Sequence, residues 1–188
     1  MTDIKKYQGI FPAFYACYED DGSVSPARTR ALAKYLLDKG VKGLYVGGSS
    51  GECIYQSVAE RKVILENVMA EVGGKMTIIA HVACNNTADS QELARHAESL
   101  GVDAIASIPP IYFHLPPYGI AQYWNDISAA APNTDFIIYN IPQLAGVALS
   151  PCSRRCGRIP GSSASRTPPC PPRTSRCGRM RAEPTSWS

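Results

Sequence analysis

Through the first 150 residues, short apolar runs alternate with longer stretches in which apolar residues return every three or four positions. The short runs predict strands at 9–15, 44–46, 76–82, 104–108 and 136–139. Ser25-Pro26 supplies an N-cap with proline in the first turn. The helix it opens carries Leu32, Ala33, Tyr35, Leu36 and Leu37 and stops at Gly40. Ser57-Val58-Ala59-Glu60 is a capping box, followed by Val63, Ile64, Asn67 and Val68 at helical spacing and closed by Gly73-Gly74. A third helix is predicted from Thr87 to Leu100, with Gly101 as its stop, and a fourth over 118–131.

Strand and helix alternate with a period of about thirty residues, which predicts right-handed βαβ units and a parallel sheet. One junction nearly repeats: Lys39-Gly40-Val41-Lys42-Gly43-Leu44 against Leu100-Gly101-Val102-Asp103-Ala104-Ile105, sixty-one residues apart. Two equal βα units give that spacing. A doubly wound open sheet would give the same local pattern, but the first βα turn lacks the glycine-rich phosphate fingerprint of such folds. The fold class predicted is therefore α/β, the front of a (β/α)8 barrel with about five of its eight strand–helix units.

Composition divides the chain near Pro151. Residues 1–150 hold 11 Lys+Arg against 15 Asp+Glu, whereas 151–188 hold eight Arg and one Glu, with no Lys, Leu, Val, Tyr or Phe. The overall charge of +3 is the sum of a body at −4 and a tail at +7. A segment without those apolar residues buries too little surface to offset its ordering entropy, so the tail is predicted to be disordered. Cys152, Cys156, Cys170 and Cys177 lie in the tail at C-x3-C and C-x6-C spacings with no His among them, which excludes the usual zinc patterns. Cys17, Cys53 and Cys84 are scattered through the body and read as reduced thiols. Eight arginines could neutralise phosphates, but only Trp187 is available as a stacking residue, and the sequence predicts no nucleic-acid partner. No segment is apolar enough to span a membrane, and Met1–Tyr7 carries charge without a signal core, so a cytoplasmic location is expected.

The chemistry gathers at Gly47-Gly48-Ser49-Ser50-Gly51-Glu52, directly after the 44–46 strand. Glycines admit a ligand close to the backbone, and two hydroxyls beside free N–H groups suit a carboxylate, with the field of the following helix adding to the attraction. An ordinary capped βα turn would have the same composition. Other strand ends offer Asn85, Tyr112 and Tyr139, and two tyrosines on neighbouring strand ends suit a proton relay, because a phenol both gives and accepts a proton. His81 lies inside an apolar run and reads as a hydrogen-bonded core residue; Glu52 reads as serving the next helix N-terminus.

Gly48-Ser49-Ser50-Gly51-Glu52, with Tyr139-Asn140-Ile141-Pro142 some ninety residues later, resembles the dihydrodipicolinate synthase/N-acetylneuraminate lyase family of class I aldolases over residues 7–150. The resemblance implies a (β/α)8 barrel, a homotetramer, no metal or organic cofactor, and a 2-keto acid substrate. It implies that Gly48, Ser49 and Ser50 hold the pyruvate carboxylate, with Ser49 also in the proton relay. Tyr139 would shuttle the proton during carbon–carbon cleavage, and Tyr112 would join the relay across a subunit contact. Where the synthases carry an arginine for a distal carboxylate, this sequence has Leu144, which favours the lyases of the family. The implied reaction is reversible cleavage of N-acetylneuraminate to N-acetylmannosamine and pyruvate. A different aldolase of the family, such as dihydrodipicolinate synthase, or a non-catalytic carboxylate-binding half-barrel are the alternatives.

The resemblance also implies a Schiff-base lysine beyond Tyr139, in a Gly-Val-Lys context, and this chain has no lysine after Lys75. Back-translating Ile159 to Cys170 and reading one phase over yields Asn-Pro-Gly-Val-Ile-Gly-Val-Lys-Asn-Ser-Ser-Met, with the lysine codon overlapping Ser165 and Arg166. The sequence thus points to a frameshift near Pro151: a body at 1–150, an out-of-frame tail at 151–188, and little or no activity in the chain as it stands.

Overall fold

A computed structural model describes residues 4–146. The predicted tail at 151–188, with its cysteines and its frame, lies outside the described residues.

Four parallel strands form one sheet in the order β1 (Gly43–Val46), β2 (Thr77–His81), β3 (Ala104–Ser107) and β4 (Asp135–Ile138). The register runs Gly43↔Thr77 to Val46↔Ala80, Ile79↔Ala104 to His81↔Ala106, and Ala104↔Asp135 to Ser107↔Ile138. Spatial order equals sequence order. A doubly wound sheet reverses direction at its switch point, so this order selects the barrel over the open sheet.

Helices α1 (Pro26–Asp38), α2 (Val58–Val72), α3 (Thr87–Ser99) and α4 (Pro117–Ala130) precede or connect the strands, and a short α5 (Pro142–Ala145) follows β4. Their starts follow local chemistry. Ser25 accepts from the Arg28 N–H at 3.2 Å, Ser57 and Glu60 form the reciprocal capping box, and Asn86 caps α3 through the Ala88 N–H. Among the described residues no helix is long and apolar enough to cross a membrane.

Alternation along the strands sorts two faces. Leu44, Val46, Ile78, Ala80, Ile105 and Phe136 face the helices and pack with Ile64, Val68, Leu93, Ala97, Trp124 and Ile127 in the main core. Ile79, Ala104 and Ala106 belong to a smaller inner cluster with Tyr7, Phe11, Tyr45 and Ile137. Burial on both faces explains why the strands read as continuous apolar runs.

The predicted strand at 9–15 is corrected to a single parallel bridge, Ala13↔Tyr45. The segment does lie along β1: Lys42 N–H donates to Ile10 O, Tyr45 N–H to Pro12 O, and Phe14 N–H to Tyr45 O. Pro12 has no N–H to give, so the ladder does not extend. At the opposite end of the sheet from the loops considered next, Tyr7 Oη donates to Asp135 Oδ2 at 2.7 Å and Lys6 pairs with the same carboxylate at 2.9 Å.

Candidate active site

The C-terminal ends of parallel strands open onto one rim, which in barrels carries the chemistry. All the candidate residues fall there: Gly48, Ser49 and Ser50 after β1, Asn85 after β2, Tyr112 after β3, and Tyr139 immediately after β4.

The turn after β1 depends on its two glycines. Gly47 takes φ +72°, a left-handed conformation that favours glycine. Gly48 is extended, but a Cβ there would stand 2.6 Å from the Tyr45 ring. Ser49–Gly51 then makes one 3-10 turn, closed by Gly51 N–H to Gly48 O and Glu52 N–H to Ser49 O, both at 3.0 Å. The opening N–H groups of such a turn have no partner within it, so those of Ser49 and Ser50 stand beside two exposed hydroxyls. Two N–H and two O–H donors in two residues make this turn a candidate cradle for a small anion.

Two expectations are corrected at this turn. Glu52 closes the 3-10 turn at φ 60° and does not serve a helix N-terminus, because α2 begins six residues later at Val58 with its own capping box. The field of α2, which falls off within about a turn, therefore adds little to the cradle.

Tyr139 donates its N–H to Ser107 O at 3.0 Å, and its side chain is 42 % exposed. Its ring lies 5.6 Å from that of Tyr45, tilted by 40°. Tyr45 thus touches both halves of the site: its ring is the wall that Gly48 must avoid, and its ring neighbours are Tyr139 and His81. Burial, then the nearby Tyr139, pushes the Tyr45 phenol far above the usual tyrosine range, so it stays neutral. Its hydroxyl is buried without a protein partner among the described residues. Sequence reasoning missed Tyr45, whose only signal was an aromatic on the inward-facing parity of β1, next to a glycine pair.

Tyr112 is 86 % exposed at φ 85°, and its ring meets Phe113 edge-on at 4.8 Å. Among the described residues the ring beside Tyr139 is that of Tyr45, while Tyr112 makes its ring contact with Phe113. Asn85 accepts the Ile111 N–H at 2.9 Å and so anchors the start of the aromatic loop. Leu144 lies in α5, and its side chain is outside what is described.

His81 is a core residue, as its setting in an apolar run predicted. Its Nδ1 lies 2.9 Å from Gly47 O. Burial first, then the Arg61 cation, draws its pKa down to about 3. Burial likewise raises the thiols of Cys53 and Cys84, which remain protonated near neutrality. Among the described residues no group of three or more His, Cys, Asp or Glu is placed to hold a metal ion.

Known proteins resemble this chain in sequence and in fold. The profile of the Dihydrodipicolinate synthetase family matches residues 6–154. An N-acetylneuraminate lyase of Mediterraneibacter gnavus is 73 % identical over 150 residues, 80 % of this chain and 48 % of that protein. A Ruminococcus gnavus sialic acid aldolase, solved as a catalytic lysine mutant, superposes with TM-score 0.80 at 71 % identity, covering 82 % of this chain and 50 % of that one. A Clostridium difficile protein solved in complex with mannosamine has TM-score 0.75 at 34 % identity, covering 81 % of this chain and 51 % of that one. The chain spans about half the length of the relatives it matches. With the sequential parallel sheet, these likenesses make the described residues the front of a (β/α)8 barrel.

Proposed function

The chain belongs to the dihydrodipicolinate synthetase family, and on that premise we propose that residues 1–150 are the pyruvate-holding part of an N-acetylneuraminate lyase. In the complete barrel a lysine amine condenses with the keto carbon, expelling water, and the resulting iminium accepts the electron pair released when the carbon–carbon bond breaks. The N–H and O–H groups of Ser49 and Ser50 hold the carboxylate, with Gly48 letting it approach. Tyr139 relays the proton that leaves the hydroxyl destined to become the aldehyde. Tyr112 joins that relay from a neighbouring subunit in a homotetramer, and the protein works in the cytoplasm without metal or organic cofactor.

One observation carries the reading: the serine turn and Tyr139 stand on the same rim and meet the same Tyr45 ring. The 73 % identity to a lyase, and Leu144 where the synthases place arginine, favour a sugar-derived keto acid over the synthase reaction. The related aldolase studied as a lysine mutant supports the Schiff-base step.

In this chain the last lysine, Lys75, donates to Glu71 O at 2.6 Å and precedes β2, at the end of the strands away from the rim. We infer that the nucleophile is encoded in the alternative phase over Ser165 and Arg166, and that the chain as it stands turns over no substrate. The DNA across codon 151 tests the frame. Restoring the frame is expected to give a protein that releases pyruvate from N-acetylneuraminate; release only from other aldol substrates would move the assignment to another aldolase of the family. Pyruvate binding without turnover by the chain as it stands, with no activity gained on restoring the frame, would favour the non-catalytic half-barrel.

A further inference from the structure

Arg61, in the first turn of α2, is only 6 % exposed, and among the described residues it has no carboxylate partner. A buried cation without a counter-charge is costly, so its contacts identify what it is retained to do. Its Nη2 donates to His81 O at 2.7 Å, and its Nη1 donates to Ala83 O at 2.9 Å and lies 3.1 Å from Cys84 Sγ. One planar fork therefore holds both carbonyls where the chain leaves β2, a grip that a point charge such as lysine cannot reproduce.

The grip is passed on. His81 Nδ1 is 2.9 Å from Gly47 O, and because a carbonyl only accepts, Nδ1 must carry the proton. The β1–β2 ladder ends at Val46↔Ala80, so the hold on Gly47 comes from this ring and not from strand pairing. Gly47 is also the left-handed residue from which the serine turn departs. The aim of the Ser49 and Ser50 donors is thus fixed at Gly47, Gly47 by His81, and the end of β2 by Arg61.

We propose that Arg61 is a positioning residue for the carboxylate-binding turn, acting through His81 and Gly47. The proposal rests on reading Gly48–Ser50 as the pyruvate site. It is separate from the reaction, since Arg61 lies on the helix side of β2 and touches no reacting atom.

The test uses the full chain labelled with 15N. In the native protein the His81 ring should show the Nδ1–H tautomer. Arg61→Met, with its far-ultraviolet circular dichroism unchanged, should shift the amides of Gly47, Ser49, Ser50 and Gly51 and weaken pyruvate binding about tenfold. Arg61→Lys should recover only part of either change. His81→Asn places an amide donor near the Nδ1 position and should keep the native turn shifts, whereas His81→Leu should move them as Arg61→Met does; this pair decides the matter even if Arg61→Met does not fold. Native turn shifts in Arg61→Met or in His81→Leu, or an Nε2–H tautomer, would overturn the proposal. Were the native chain not to bind pyruvate while Arg61→Met still moved the turn amides, the positioning would stand and the pyruvate reading would fail.

Discussion

Gly48 and Tyr45 share one space, and that contact is where the site is most sensitive to a single atom. Gly48→Ala would put a methyl group 2.6 Å from the Tyr45 ring, and overpacking of this kind costs about 1–3 kcal/mol. Urea unfolding should register that loss. Tyr45→Leu in the same chain should return part of it, because the two changes act on one gap and are not additive. His81 makes a second prediction. Its folded pKa of about 3 lies below the unfolded value near 6.5, so the unfolded state binds the extra proton between them. Stability is then full above pH 6.5 and falls by up to about 1.4 kcal/mol per pH unit on acidification toward pH 3. Denaturation midpoints from pH 4 to 7 should show that slope in the native chain and lose it in His81→Asn. At this scale the sequence was half legible. Serines flanked by glycines mark a candidate anion cradle that composition shares with an ordinary capped turn, and Tyr139 stands in a distinctive tetrapeptide. The work of Arg61, His81 and Tyr45 arises only from packing between β1, β2, β4 and α2, and no local pattern encodes it.

Helix boundaries were legible because capping is local. Ser25, Ser57 and the glycine stops act within four residues, so the sequence alone contains the whole interaction. Ser57→Ala should lower stability by about 1 kcal/mol. Ser25→Ala should cost more, toward about 2 kcal/mol, because the Ser25 hydroxyl is fully buried and serves both the Arg28 N–H and the Glu19 carboxylate. Thermal melts of the two variants side by side check the order. The segment at 9–15 misled for the converse reason. Its apolar run is that of a strand, yet pairing is decided by whether each N–H can reach a neighbouring carbonyl, and Pro12 removes one donor from the ladder with β1. Glu52 misled similarly, since four further residues and a separate cap intervene before α2 starts.

For the molecule as a whole, the order β1-β2-β3-β4 leaves β4 paired on one side only among the described residues. Tyr112, Phe113 and Tyr118 crowd the rim as exposed aromatics. An unpaired strand edge beside an apolar loop promotes association, so sedimentation should find the chain self-associating as concentration rises. The proposed function depends on a division of labour: the described residues would grip the keto acid and handle its proton, and an amine supplied from the other reading phase would form the covalent bond. Incubation with pyruvate and borohydride followed by intact mass measurement, on this chain and on its frame-restored form together, tests that division most directly. A single reduced pyruvate adduct on the restored protein alone is the predicted result. A stoichiometric adduct on the present chain, or none on the restored one, would contradict it.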